Sequence, residues 1–191
     1  MKITSPKLNE NPEQINLKEA LQEDYYISNA TVCSLEGIEE SEGKIIFDQV
    51  LFKQASFVDL HLYQVEFIDC IFEKCDLSNV VMEQAVFHRV EFLACKLFGA
   101  NFADARLTDV RVCENHANYL NLSFSKLKKV SFNNCTLNHA DFIDATLQHI
   151  EFETCEIDEA NFTDTSLDGV DLSSTTYENL LVSLEDLKGC T

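Results

Sequence analysis

The chain has 191 residues and carries 33 acidic against 14 basic side chains, a formal charge of −19 at pH 7. That balance repels nucleic-acid phosphate, which excludes a direct DNA or RNA binder and makes a partner with a basic surface the electrostatic complement. Five glycines and two prolines are few for a chain of this length, so its turns must rest on other residues.

The opening MKITSPKLNENPEQ has no apolar run and predicts an arm over residues 1–14, with neither an export signal nor a membrane span. On that reading the eight cysteines belong to a reducing cytoplasm and are not a disulfide framework. A faint five-residue phase then runs through Ile15, Leu17, Ala20, Tyr25, Ile27, Ala30, Val32 and Leu35, which predicts an early coil or two. EGIEESEG, residues 36–43, breaks the phase and predicts an acidic bulge.

The strongest pattern starts at Ile45. Large apolar residues recur every five positions, at Phe47, Phe52, Phe57, Leu62, Phe67 and Phe72, and the phase holds to Phe162, Leu167 and Leu172. Two residues before each stands a smaller apolar residue, as at Val50, Ala55, Leu60, Val65, Cys70 and Cys75. Five-residue steps suit neither common element, since they turn roughly 500° on a helix and alternate faces on a strand. A pair two residues apart does point one way in extended chain, so successive pairs share an interior if the chain turns a corner between them.

Residues twenty apart resemble one another, whereas a spacing of fifteen mixes the classes. Val50, Cys70, Val90, Val110, Val130 and Ile150 form one column, and Ala55, Cys75, Cys95, Asn115, Cys135 and Cys155 another. Phe52, Phe72, Phe92, Val112, Phe132 and Phe152 form a third. Four corners therefore make one coil, and the predicted fold is an all-β square solenoid over 15–182, strongest over 45–172. At ~4.8 Å per coil, that strongest part is a rod about 30 Å long. Its open ends need covering.

At CENHANYLN the phase holds while Asn115 and Ala117 take inward positions, which predicts a locally distorted coil with Asn115 as a satisfied structural amide. Beyond Leu172 the phase continues through Tyr177, Leu180 and Val182. Residues 183–191 predict a short closing turn, helical over Ser183–Leu187, with Ser183 as N-cap and Gly189 as stop.

No catalytic constellation emerges. Cys75, Cys95, Cys135 and Cys155 lack short C-x-x-C ligand spacing and occupy inward positions, where Cys is a compact hydrophobe. His61, His88, His116, His139 and His149 all point outward, with no thiol or paired carboxylate in register. There is no Gly-rich phosphate cradle, so neither enzyme activity nor a cofactor or metal is expected. What remains is surface. Asp104, Asp144 and Asp164 share one column, with Asp59 and Asp141 on the same side, and Glu151, Glu153, Glu156, Asp158 and Glu159 crowd a corner further along. Arg89, Arg106, Lys126, Lys128 and Lys129 form a basic patch on another face. On the residues alone, the carboxylates are either a solvated face or an imitation of duplex DNA.

The runs ANFAD, ADFID and ANFTD resemble the pentapeptide-repeat proteins, whose loose consensus is Ala-Asp/Asn-Leu-X-X. FHRVEFLACKLFGANFAD, within an uninterrupted acidic rod, resembles the Qnr-type members of Gram-positive bacteria. The resemblance implies a right-handed quadrilateral β-helix. It also implies a DNA-mimicking protein that binds type II topoisomerases, DNA gyrase and topoisomerase IV, and protects them from fluoroquinolones. It favours mimicry for Asp104, Asp141, Asp144, Asp164, Glu151, Glu153, Glu156, Asp158 and Glu159. The other reading is an acidic scaffold for a different protein partner, which the fold serves equally well. Qnr-like members usually close with a longer amphipathic helix that dimerises them. With Thr191 coming soon after the closing turn, a mostly monomeric protein is expected.

Overall fold

The computed structural model describes residues 1–23, 25–35 and 44–191. The acidic bulge expected at 36–43 lies outside the described residues. The chain winds as an all-β, four-cornered solenoid of about 8 turns. Its long strands are β2 (Tyr26–Val32), β3 (Ile46–Lys53), β4 (Glu66–Glu73), β5 (Val86–Leu93), β6 (Arg106–Cys113), β7 (Lys126–Asn133) and β8 (Thr146–Glu153). They pair in parallel and in chain order, with β1 (Glu13–Gln14) on the free edge of β2. The register advances by twenty residues per coil, from Ile46 to Glu66, Val86 and Arg106. Bridges outside the strands, such as Ser56 to Asp76 and His61 to Val81, keep the same step.

Each long strand wraps two sides of the square and the corner between them. In the coil 45–64 the sides are 45–47, 50–52, 55–57 and 60–62, and the corners are 48–49, 53–54, 58–59 and 63–64. The corners explain the scarcity of glycine. From Gln49 to Gly169 every fifth residue has φ between 50° and 76°. This left-handed conformation costs an L-residue about 1–2 kcal/mol. Bonds between coils offset it: the corner N–H groups of Gln54 and Lys74 donate to the carbonyls of Glu73 and Leu93, both at 2.9 Å. Asp and Asn, which tolerate this region, fill many of the corners.

Inside, the columns foreseen from the sequence are physical stacks. Phe52, Phe72 and Phe92 lie ring on ring with centroids 4.7 Å apart, and Phe47, Phe67 and Phe87 do so at 5.3 Å. The thiol column bonds to the backbone it stands on. Cys95 Sγ donates to the carbonyls of Phe72 (3.3 Å) and Leu93 (3.5 Å), and Cys135 Sγ to those of Val112 (3.2 Å) and Asn133 (3.3 Å). Asn115 does the same with its amide: Nδ2 donates to Phe92 (2.8 Å) and Cys113 (3.0 Å), while Oδ1 accepts the Cys95 N–H at 2.6 Å. The amide is thus satisfied, as expected. The coil around it is regular, however, and not distorted, because the amide reproduces the bonds of a thiol in that slot.

All eight cysteines are free. Burial pushes the Cys70 thiol far up, and the neighbouring Cys95 thiol, then burial, do the same for Cys75. Only thiolates react readily. Because burial also keeps a reagent from Cys70, Cys75, Cys95, Cys135 and Cys155, a thiol reagent under native conditions is expected to modify exposed Cys33 first, with those five reacting only on unfolding. A chelator is expected to leave Tm unchanged, and a large fall would reveal a metal site.

The ends depart from expectation. The early coil forms from β2 onward, where Ile27, Ala30 and Val32 stack in register on Phe47, Val50 and Phe52, but residues 17–23 form the helix α1 (Leu17–Glu23) instead. Leu17, Ala20 and Leu21, three and four residues apart, pack on the core and cover the open end of the first coil. Asn16 caps the helix, its Oδ1 accepting the N–H of Lys18 (3.1 Å) and Glu19 (3.4 Å) while Nδ2 donates to Glu19 Oε1 (3.3 Å). The step from Leu17 to Ala20 fits both patterns, and an exposed solenoid end favours a lid.

At the other end β10 (Leu180–Leu181) pairs with β9 (Ala160–Asn161). Residues 184–189 are consecutive turns, not the expected helical turn over Ser183–Leu187. Ser183 Oγ does accept the Asp186 N–H (3.3 Å). The preceding coil nevertheless claims the carbonyls: Leu167, Gly169 and Leu172 N–H donate to Asp186 (2.8 Å), Gly189 (3.1 Å) and Thr191 (2.7 Å). Those bonds hold the segment as a further coil.

The expected arm is a strap laid along the rod. Arg111 donates to the Ile3 carbonyl and to Ser5 Oγ, both at 2.8 Å. The Thr4 and Lys7 N–H groups donate to Asp109 and Asp69, both at 3.0 Å. Burial opposes ionisation of Asp69, but the two-pronged Arg89 guanidinium (2.6 Å to each oxygen) and the Lys7 N–H outweigh it and hold the carboxyl below its usual value. A depressed carboxylate pKa contributes stability that is complete above the unfolded value and lost as pH falls through the folded one. Asp69→Asn is therefore expected to lower stability at pH 7 by about 1–3 kcal/mol and to flatten the acid side of the pH–stability curve below about pH 4. An unchanged acid limb would refute this anchoring role.

Candidate functional site

Asp104, Asp144 and Asp164 stand at the fourth corner, in the column Gln64, Gln84, Asp104, Phe124, Asp144, Asp164. Asp144 and Asp164 occupy neighbouring coils, while Phe124 separates them from Asp104. Asp141 lies on the fourth side, bridged to Asn121 and Asn161, and Asp59 at the third corner. The other five carboxylates do not share a corner as expected. Glu151 is on the second side, Glu153 at the second corner, Glu156 on the third side, and Asp158 and Glu159 at the third corner. Every five residues turn the chain through one corner, so closeness in sequence distributes these groups around the rod.

Several already have partners. Glu151 takes the α-ammonium of Met1 at 2.7 Å, and Glu153 accepts from Asn133 Nδ2. Asp158 accepts the N–H groups of Glu178 and Asn179, both at 2.9 Å. The Asn179 N–H, then that of Glu178, holds its carboxyl below the usual range. Glu159 meets His139 Nδ1 at 3.1 Å.

Charge is segregated by side. From residue 58 onward the third corner, fourth side and fourth corner hold Asp59, Glu83, Asp104, Asp141, Asp144, Asp158, Glu159, Asp164 and Glu178, and no Lys or Arg. The other basic residues stand elsewhere, with Arg106 and Lys126 adjacent on the first side and Arg89, Lys128 and Lys129 at the first corner, while Lys44 stands one coil below Gln64 at the foot of the fourth-corner column. The pairs Lys53–Glu73, Asp69–Arg89, Asp76–Lys96 and Glu91–Arg111 all lie off this acidic side. Two carboxylates one coil apart, at about 5 Å, repel by roughly 0.8 kcal/mol even in water. From residue 58 onward the acidic side holds that repulsion without a Lys or Arg of its own, with Arg106 beside Asp104 on the adjoining first side.

The pentapeptide repeat region family matches residues 45–122, 85–162 and 125–191, well over half the chain. The chain belongs to the pentapeptide-repeat family. A relative in Bacillus subtilis (strain 168), the uncharacterized protein YisX, is 36% identical over 132 residues, 66% of this chain and 60% of that protein. The chain thus spans less than two thirds of the length of the curated relative that it matches. Among solved structures, HetL, a pentapeptide repeat protein involved in heterocyst differentiation regulation from the cyanobacterium Nostoc sp. strain PCC 7120, is 13% identical with a TM-score of 0.48, over 91% of this chain and 90% of that one. Trypsin-treated QnrB1, a plasmid-mediated fluoroquinolone resistance protein, is 19% identical with a TM-score of 0.44, over 84% and 83%.

Sequence reasoning passed over one group on the acidic side. Phe98, Tyr119 and Phe124 are about half exposed. Their signal was available, since each is a large apolar residue off the inward phase of its family's repeat.

Proposed function

We propose that this protein is a DNA-mimicking binder of type II topoisomerases, DNA gyrase or topoisomerase IV, acting in the cytoplasm by occupancy and not by catalysis. On this reading it protects the topoisomerase from fluoroquinolones by competing for its DNA-binding surface. One observation carries the reading: a rod side with carboxylates at Asp104, Asp141, Asp144, Asp158, Glu159 and Asp164 and no Lys or Arg from residue 58 onward. A regular line of fixed negative charge suits a groove built for phosphate. The Qnr-like stretch FHRVEFLACKLFGANFAD supports the choice of enzyme. Glu151, Glu153 and Glu156 lie off this side and serve the partner less. The test is DNA supercoiling by gyrase, with and without ciprofloxacin, titrated with this protein. Restored supercoiling in the presence of drug is the expected result. No effect on gyrase or topoisomerase IV at any concentration would overturn the proposal.

A further inference from the structure

We infer that Phe98, Tyr119 and Phe124 form the anchor of the acidic side, seating in an apolar pocket that basic residues rim on a partner protein. From residue 58 to 184, the exposed large apolar residues other than Tyr177 all lie on the third corner, fourth side or fourth corner. Phe98, Tyr119 and Phe124 are the central group. The Phe98 and Tyr119 rings meet edge to face at 5.3 Å, Tyr119 stacks on His139 at 4.7 Å, and His139 pairs with Glu159, a row climbing four successive coils. Phe124 stands at the adjacent fourth corner, with Asp104 one coil below and Asp144 one coil above. Between the corners, Asn121 Nδ2 donates to Asn101 Oδ1 at 3.1 Å, which places paired amides between the aromatics.

The backbone points the same way. Tyr119 (φ 61°) and Phe124 (φ 62°) are the only Phe, Tyr or Trp among the described left-handed residues. A bulky side chain is disfavoured there, where Asn or Asp serves the fold better. Two exposed aromatics are thus held where folding gains least from them, which marks them as kept for contact. Charge selects the occupant. A second copy of this chain would set Asp104, Asp141, Asp144 and Glu159 against the same carboxylates, and a nucleic-acid backbone laid on this side would meet them too, although Lys96 and Lys126 stand on the adjoining sides, so the complement is a protein with basic groups around an apolar pocket. Aromatic anchors within a polar rim are the usual source of interface affinity.

This inference rests on the topoisomerase reading, which supplies the probe. The experiment measures binding of full-length wild type and the Tyr119→Asn/Phe124→Asn double variant to gyrase holoenzyme and to topoisomerase IV. Phe98→Ser and an Asp104→Asn/Asp144→Asn/Asp164→Asn variant are run in parallel. Asn suits a left-handed corner, so the double variant is expected to melt within a few degrees of wild type or above it while binding at least tenfold more weakly. Wild-type affinity in the aromatic variants, with association at low salt still slowed in the Asp variant, overturns this inference and leaves the topoisomerase reading intact. Absence of wild-type binding to both enzymes overturns both. Wild-type binding to single-stranded DNA that the double variant loses would make the aromatics a base-stacking platform and also overturn the inference.

Discussion

Phe92→Asp is expected to abolish the folded rod. Phe92 is 1% exposed, stacked on Phe72 at 4.7 Å and close to Phe87 and Phe102 at 5.7 and 6.2 Å. An aspartate there either stays charged without a partner or takes up a proton, and both routes cost several kcal/mol. The change also deletes the phenyl ring, a loss of about 3–5 kcal/mol by itself. Against a total stability of about 5–15 kcal/mol, the sum leaves little or nothing. Phe92→Leu is the control, expected to cost about 1–2 kcal/mol, because the same column already accepts Val112 one coil on. Circular dichroism should show loss of the cooperative thermal transition for Asp and a modest fall in Tm for Leu. An Asp variant melting within a few degrees of wild type would refute the inward assignment of the series.

That prediction could be drawn from sequence alone, because the repeat makes local pattern and global fold the same thing. A residue twenty positions away is a spatial neighbour, so comparing Cys75 with Cys95, or Phe52 with Phe72, amounts to reading contacts. The logic fails where the repeat stops supplying the neighbour. At Leu17–Glu23 the repeat supplies no residue twenty positions earlier to stack on, and a three-residue apolar step fits a lid helix as well as a coil. At 184–189 the Ser183 cap and the three-residue step from Leu184 to Leu187 suit a helical turn, but the open edge of the previous coil offers N–H groups that take the carbonyls first.

The surface was legible only in part, for the same geometric reason. Asp104, Asp144 and Asp164 were recognised as a column because they share a position in the coil. Glu151 to Glu159 were grouped by closeness in sequence, which in this fold separates groups around the rod. Phe98, Tyr119 and Phe124 escape the repeat logic because the five-residue phase specifies inward positions and leaves outward ones unconstrained. Tyr119 and Phe124 depart from the polar composition of the corners, and only the left-handed φ shows how much the fold disfavours them.

Neutralising the acidic side is expected to slow capture by a topoisomerase far more than neutralising other carboxylates. Asp104, Asp144 and Asp164 line one edge of the side that carries no Lys or Arg from residue 58 onward. Removing them as Asn leaves the backbone in a conformation that Asn adopts readily, so the fold should be unaffected. Glu151, Glu153 and Glu156 make the matched comparison as Gln, since they remove the same charge from other faces. If the field of one side steers encounter, the Asp variant should lower the association rate constant about tenfold at low salt and the Glu variant much less. Dissociation should change little, because exposed charges act mainly on approach. Raising ionic strength towards 0.15 M, where screening reaches about 8 Å, should weaken wild-type binding steeply and bring the three proteins together. Equal slowing by both variants would mean that net charge acts and no face is special. Binding indifferent to salt would remove mimicry of a phosphate backbone as the basis of recognition.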